Sequence, residues 1–339
     1  MMALNFDLVY LWVDGSDPAW LERKNRALAA AGRPQAAAST SDTRFQDNDE
    51  LRYSLRSVER YAPWVRRVHI LTDRQTPCWL DTHHPKVHVV DHRDVFENPS
   101  HLPSFSSRAI EANIHRIPGL AEHFIYLNDD MFFGRRVKPK HFFQHDGRAQ
   151  VFVTRSRPRR MPWDLDEDQL PPGMDPLHHN AIIASRKAVK RQTGTAVHFE
   201  FRHLARAMVK SHLEAMERDH YGPELRATMA APFRGPGSVL IHSLFNFHTL
   251  ATGTSIPVKL RSPRTQASLK NAIHRRLGTL SGLFVDLADA DHLCRLAAIE
   301  RERPHMFCIN QSPGTQVSAT RACSALLERM FPARSSFER

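Results

Sequence analysis

The chain has 339 residues, 41% hydrophobic and 24% charged, which excludes a disordered or fibrous polypeptide and leaves either one elaborated α/β domain or a core with a second lobe. A net charge of +11 favours anionic partners but does not choose among nucleic acid, phosphosugars and an acidic membrane face, and a basic solvated surface accounts for it equally well. The longest apolar runs, 8–13 and 124–127, fall far short of the roughly 20 residues of a membrane-spanning helix. Residues 1–7 lack the basic opening of a secretory leader, and Asp14 and Asp17 follow the first apolar run at once, so a cytosolic chain is expected. Cys78, Cys294, Cys308 and Cys323 are widely spaced and match neither a zinc pattern nor a disulfide framework, so reduced thiols are expected.

In chain order, residues 6–13 are β-rich and apolar, as in a buried strand, and 20–31 are helix-like. Residues 32–43 are small and polar and read as a loop. In 47–61, Leu51, Leu55 and Val58 fall on one helix face, with Asp47 or Asn48 as cap and Pro63 as stop. Strands follow at 65–71 and 86–90, a helix at 106–117 stopped by Pro118 and Gly119, and a strand at 124–127 that runs into Asn128, Asp129 and Asp130. This alternation predicts an α/β fold with a largely parallel sheet and helices on its faces. Past residue 150 the pattern becomes mostly helical, with helices expected at 180–192, 203–218, 238–250, 291–300 and 317–330. Residues 155–172, rich in proline and charge, mark an expected lobe boundary or flap. The resulting division is an α/β core at 1–150, a mostly helical portion at 151–331 that completes the site, and a frayed basic tail at 332–339.

Open parallel sheets bind ligands beyond the carboxyl ends of their strands. Three such ends carry acids here: Asp14 and Asp17 after the first strand, Asp73 after the second, and Asp129 and Asp130 after the fourth. Clustered carboxylates repel one another, and a divalent cation with phosphate oxygens relieves that repulsion. A lone acidic pair at such a place more often caps a turn, but three clusters together favour a metal–phosphate site. Arg52 and Arg56, four residues apart on one helix face, can pair with phosphate, although a solvated ion-pair network explains the spacing as well. Arg234, in a glycine-rich turn before a helix, can hold an anion.

Three segments, WVDGSDPAW (12–20), RFQDNDELRYSLRSVERYAPWVRRVHILTD (44–73) and LPSFSSRAIEANIHRIPGLAEHFIYLNDDMFFG (102–134), resemble the first two blocks of the Stealth proteins. These are bacterial capsule and exopolysaccharide hexose-1-phosphate transferases, similar to the animal N-acetylglucosamine-1-phosphotransferase. The resemblance is nearly gap-free over 6–145. Beyond it, His203 and Arg234 fit the family's third block, with His179 as a rival for the histidine. In the fourth block Asn310 is kept, and Gln311 stands where the family has an acid.

The resemblance implies a Rossmann-like core similar to the GT-A glycosyltransferases, a Mg²⁺ or Mn²⁺ ion, a nucleotide-sugar donor and a glycan acceptor. A hydroxyl would attack the phosphorus bonded to the sugar, with UMP leaving when the donor is a UDP-sugar. On that reading Asp129 and Asp130 hold the metal, and Asp14, Gly15, Asp17, Asp73, Asn128 and Arg52 face the donor. Arg234 would stabilise the transferring phosphate, and His203 would serve as general base. A positive surface would suit peripheral association with a membrane or a capsule assembly complex. Two alternatives are a metal-dependent glycosyltransferase releasing UDP and a basic nucleic-acid- or carbohydrate-binding module. No nucleic-acid motif supports the latter, and no nucleic-acid partner is expected.

Overall fold

The structure is a computed structural model in which residues 5–31, 45–154, 175–263 and 269–339 are described. The loop expected at 32–43 and the boundary expected at 155–172 lie outside the described residues. The strands are β1 (Phe6–Leu11), β2 (Arg67–Thr72), β3 (Val87–Asp91), β4 (His123–Asn128), β5 (Met131–Phe133), β6 (Ala149–Val153), β7 (Arg206–Val209), β8 (Ser255–Lys259), β9 (Gly282–Asp286) and β10 (Met306–Asn310). The helices are α1 (Pro18–Ala30), α2 (Glu50–Tyr61), α3 (Ser107–Glu111), α4 (Pro176–Thr193), α5 (Lys210–Ala215), α6 (Gly222–Met229), α7 (Ile241–Ala251), α8 (Leu269–Arg276), α9 (His292–Glu302) and α10 (Val317–Met330).

Strands β3, β2, β1 and β4 lie in that order and are all parallel, and β7 closes the β4 edge in the antiparallel sense. Leu8, Val9 and Tyr10 are consecutive in β1 and all fully buried, so both faces of the sheet are covered. The chain winds outward from β1 through β2 to β3 and then returns to place β4 on the other side of β1. That reversal opens a crevice between the carboxyl ends of β1 and β4, where open α/β sheets hold their ligands. Two smaller sheets complete the fold: β5-β10-β9, and the parallel pair β6-β8.

The portion past residue 150 is rich in helices but also carries β7, β8, β9 and β10, which its sequence pattern does not announce. The expected helix at 203–218 is strand β7, then α5, then a π turn at Met216–His220. Ala207, Met208 and Val209 are buried there by pairing with β4, whose open edge overrides local helix propensity. The expected helix at 106–117 is short, ending at Glu111 and followed by a 3₁₀ turn at Ile114–Arg116. One hydrophobic core joins Phe6, Leu55 and Phe124 to Phe245 and Phe337. Position 150 therefore marks a change of sequence pattern, not a break in packing.

The segment 332–339 is not frayed. Phe337 is buried in the core, and the Glu338 carboxylate is fully buried between Arg52 Nε at 2.7 Å and Arg56 Nε at 2.7 Å. Arg339 donates to the Cys78 carbonyl. These two arginines hold the Glu338 carboxyl down at about 2, although burial alone would raise it. Removing one member of a buried pair strands the others. Glu338→Ala is expected to destabilise the chain by roughly 3 kcal/mol, read from urea midpoints. The parent protein should also lose stability as pH falls from the ordinary carboxylate range towards about 2, and the variant should lose less over that window.

Candidate functional site

The crevice is built where β4 turns into β5. Asn128, Asp129 and Asp130 form that turn, and the Asp130 carbonyl accepts from the Ile309 N–H of β10, so both sheets fix it. Helix α2 supplies the facing acids. Its buried Ser54 lies 2.8 Å from the Tyr10 hydroxyl, and Ser57 accepts from the Phe133 N–H at 3.0 Å, which seats its N-terminus against the same turn. Asp49 enters the helix with φ +64, a left-handed conformation that aspartate tolerates, so Asp47, Asn48 and Glu50 approach the β4 end.

Four carboxylates thus crowd one side of the crevice. None of Asp47, Glu50, Asp129 and Asp130 is ion-paired with a lysine or arginine among the described residues. Burial raises the Asp129 carboxyl well above its ordinary value, and Asp130, Glu50 and Asp47 add to that. Burial pushes Asp130 up to about 7, with Glu50 contributing, and Asp47 up to about 6, again with Glu50 contributing. One oxygen of Asp130 is buried without a hydrogen-bond partner. An orphaned carboxylate oxygen among mutually repelling acids fits a divalent cation.

Asp130, His203 and Cys308 also offer ligand atoms that all lie within 4.8 Å of one another. The Cys308 thiol is held protonated by burial and by Asp130, to which it donates at 3.3 Å. His203 Nδ1 accepts from Arg206 at 3.0 Å. Of the three, only Asp130 is ready to bind a cation without rearrangement. With Asp129 beside it, the donor set is oxygen-rich and suits Mg²⁺ or Mn²⁺.

The opposite side is cationic. Arg108 is buried on α3 and donates to Ser238 Oγ at 2.6 Å and to the Leu177 carbonyl at 2.8 Å. Arg234 donates to Ser107 Oγ, and Arg206 lies over the Tyr126 ring. Each of the three keeps one buried N–H without a partner: Arg108 Nε, Arg206 Nη1 and Arg234 Nε. Burial, reinforced by Arg234, lowers Arg108 to about 10. Burial and these arginines also lower His178 to about 3 and His203 well below its ordinary value, so both imidazoles are neutral. Stacked Phe105 and Phe233, packed with Trp20 and Phe45, brace the turn that carries Arg234.

Several expected site residues prove to be committed elsewhere. Arg52 is spent on Glu338. Asp73 is paired with Arg23 at 2.9 Å, and Asp17 caps α1 and accepts from Gln75. Asp14 accepts from Ser16 and stays in the crevice mouth at the end of β1. Gly15 is required by Phe45, not by a ligand: a Cβ there would sit 2.5 Å from the Phe45 carbonyl oxygen. His179 is buried in α4, and it is the adjacent His178 that shares the field of the arginines.

His203 is in the crevice, but Arg206 can only donate, so Nδ1 of His203 must accept and its proton sits on Nε2. That arrangement leaves Nε2 as a hydrogen-bond donor towards the crevice. Gln311 reaches the acidic side through Asn48, whose Nδ2 donates to it at 3.0 Å, and Asn310 donates to Asp286. Sequence reasoning missed Asp47, Glu50, Arg108, Glu111 and Arg206 as site residues. The first two read as helix-start acids, Arg108 and Glu111 lie in the 102–134 segment without a spacing that singles them out, and Arg206 carries no motif of its own.

Fold and site together define an α/β protein whose switch-point crevice sets acids without a lysine or arginine partner among the described residues against arginines that each keep a spare N–H. The chain carries the first two conserved regions of the Stealth proteins. Residues 5–32 match the model described as Stealth protein CR1, conserved region 1, and residues 44–151 match conserved region 2. It is 36% identical to exopolysaccharide phosphotransferase SCO2594 and 38% identical to SCO6023, both of Streptomyces coelicolor, over 98% of this chain and 51% and 52% of theirs. It is 31% identical to exopolysaccharide phosphotransferase CpsY of Mycobacterium tuberculosis, over 100% of this chain and 59% of that one. The chain thus spans about half the length of the curated relatives it matches. A solved structure of the galactosyltransferase LgtC aligns over 97% of this chain and 98% of its own at 13% identity and a TM-score of 0.41, too distant to bear on the reaction. Among the described residues no helix is long and apolar enough to cross a membrane.

If the acids form a cation site, Mn²⁺ or Mg²⁺ added to chelator-treated protein will raise its Tm. A cation at about 100 times its Kd adds ~2.7 kcal/mol, enough for calorimetry to resolve. Asp130→Asn should abolish that shift while raising the Tm of the metal-free protein, because one repelling charge is gone.

Proposed function

We propose that this chain transfers hexose-1-phosphate, or N-acetylhexosamine-1-phosphate, from a UDP-sugar to a hydroxyl of an oligo- or polysaccharide. The product is a phosphodiester, UMP is released, and the role is exopolysaccharide or capsule synthesis. The observation that carries this reading is the pairing of four uncompensated carboxylates with three guanidiniums, each with a buried spare N–H, across a switch-point crevice. A metal-bound diphosphate is the ligand whose charge satisfies both walls at once. The names of the relatives, exopolysaccharide phosphotransferases, agree.

Asp129 and Asp130 would hold Mg²⁺ or Mn²⁺, which when bound neutralises the diphosphate. Arg234, Arg206 and the Nε2–H of His203 would donate to oxygens of the transferring phosphate, whose transition state depends on positioning and charge stabilisation. Asp14 and Asn128, at the ends of β1 and β4, would face the nucleotide or the donor sugar. A cytoplasmic location and capsule machinery as a partner accompany this reading, and the +11 net charge is compatible with contact at an acidic membrane face.

The test is a panel of nucleotide-sugars with Mg²⁺ or Mn²⁺ and a glycan acceptor, scored for nucleotide release and by phosphorus NMR. UMP with a new phosphodiester is expected. UDP without a phosphodiester would instead mean attack at the anomeric carbon. Arg234→Ala and Asp130→Ala should each lower kcat/KM by about 10²–10³. Near-normal turnover in folded Asp130→Ala protein would remove the metal assignment.

A further inference from the structure

An acceptor hydroxyl needs somewhere to put its proton, and with its proton already on Nε2, His203 cannot take it. His69 is bonded to the Asp7 carboxylate, His115 to that of Glu217 and His242 to that of Glu111. In the first two, the other ring nitrogen is sealed in the interior without a partner. His242 differs. Its Nδ1 lies 3.2 Å from Glu111 Oε2, and its Nε2 is neither sealed nor bonded within the described residues.

Glu111 is buried, accepts from the Tyr126 hydroxyl at 3.1 Å, and is held at about 2 by His242 and the surrounding arginines against the effect of burial. An ionised carboxylate can only accept, so Nδ1 of His242 carries the proton and Nε2 carries the lone pair. The groups around His242 place it at the cationic wall: Glu111 and Arg108 on α3, Arg206 on β7, His178 on α4, and His203 and Arg234 on the turns beside them.

Resting on the transferase reading above, we infer that His242, oriented by Glu111, is the general base for the acceptor hydroxyl, and that His203 is a neutral hydrogen-bond donor to the phosphate. In the step, the hydroxyl oxygen forms a bond to the phosphorus attached to the sugar. The bridging P–O bond breaks, and its electron pair leaves on the nucleoside monophosphate. The hydroxyl proton goes to Nε2 of His242, and Glu111 stabilises the imidazolium that results. Burial and Arg206 lower His242 while Glu111 opposes them, so the base stays neutral at neutral pH and is lost only on acidification.

The experiment uses the full chain with a UDP-sugar it turns over. His242→Ala should lower kcat by about 10²–10³ while the affinity for the donor, measured by calorimetry, is kept. Added imidazole should restore part of the rate, and a more acidic alcohol such as trifluoroethanol should shrink the defect. Glu111→Gln should move the acidic limb of the pH–rate profile to lower pH. His203→Ala should weaken donor binding and keep that limb. Nitrogen-15 spectra of histidine-labelled resting protein give a readout independent of turnover: His242 protonated on Nδ1, His203 on Nε2. A His242→Ala variant within twofold of the parent rate overturns the inference, and so does a His242 proton on Nε2. Failure of the unmodified chain to turn over any nucleotide-sugar would instead sink the transferase reading itself.

Discussion

The constraint on which the rest depends is separated charge in a half-buried crevice. Burial and the neighbouring Glu50 raise the carboxyls of Asp47, Asp129 and Asp130, and on the other wall burial and the neighbouring Arg234 depress the Arg108 guanidinium. Either wall alone would be relieved by pairing with the other, since Arg206 already acts on Asp130 through space. The backbone prevents that collapse. The acids are pinned by the β4–β5 turn and the start of α2, and the arginines by Ser107, Ser238 and the Leu177 carbonyl. A fold that holds like charges together against repulsion stores a preference for a ligand of the opposite charge pattern.

Much of the scaffolding serves that separation. The Arg52 and Arg56 pair on Glu338 ties the middle of α2 to the last strand-like stretch of the chain, far in sequence from the acids it helps to place. The small aromatic cluster of Trp20, Phe45, Phe105 and Phe233 does the same for the cationic wall, joining the α1 region to the Arg234 turn. Gly15 belongs to this framework, because its missing side chain lets the Phe45 carbonyl approach closely and accept from the Gly15 N–H. Residues that a motif reader assigns to ligand contact thus act one layer behind it.

What could be read from sequence followed the strength of local signals. The apolar run of β1, the Leu51–Leu55–Val58 face of α2 and the strand leading into Asn128 are local patterns, and each lies where its pattern placed it. Strand β7 could not be read, because Ala207 and Met208 are helix formers and only the unpaired edge of β4 makes them a strand. Arg52 was misassigned because its partner, Glu338, is 286 positions away, beyond any spacing rule. The acids at the ends of β1 and β2 are a mixed case. They do gather at one sheet edge, but Asp17 and Asp73 are consumed by a helix cap and an ion pair.

The histidines show why residue type underdetermines role. His203 and His242 share one electrostatic field, and burial with Arg206 lowers both. They differ only in what engages Nδ1. An arginine there forces the lone pair inward and leaves an N–H to offer, whereas a carboxylate takes the proton inward and leaves a lone pair. A base and a donor can therefore stand side by side in one crevice without either changing its charge. The distinction is written in Arg206 and Glu111, neither of which any local spacing singles out, and it emerges only once β7 and α3 are packed against the same end of β4.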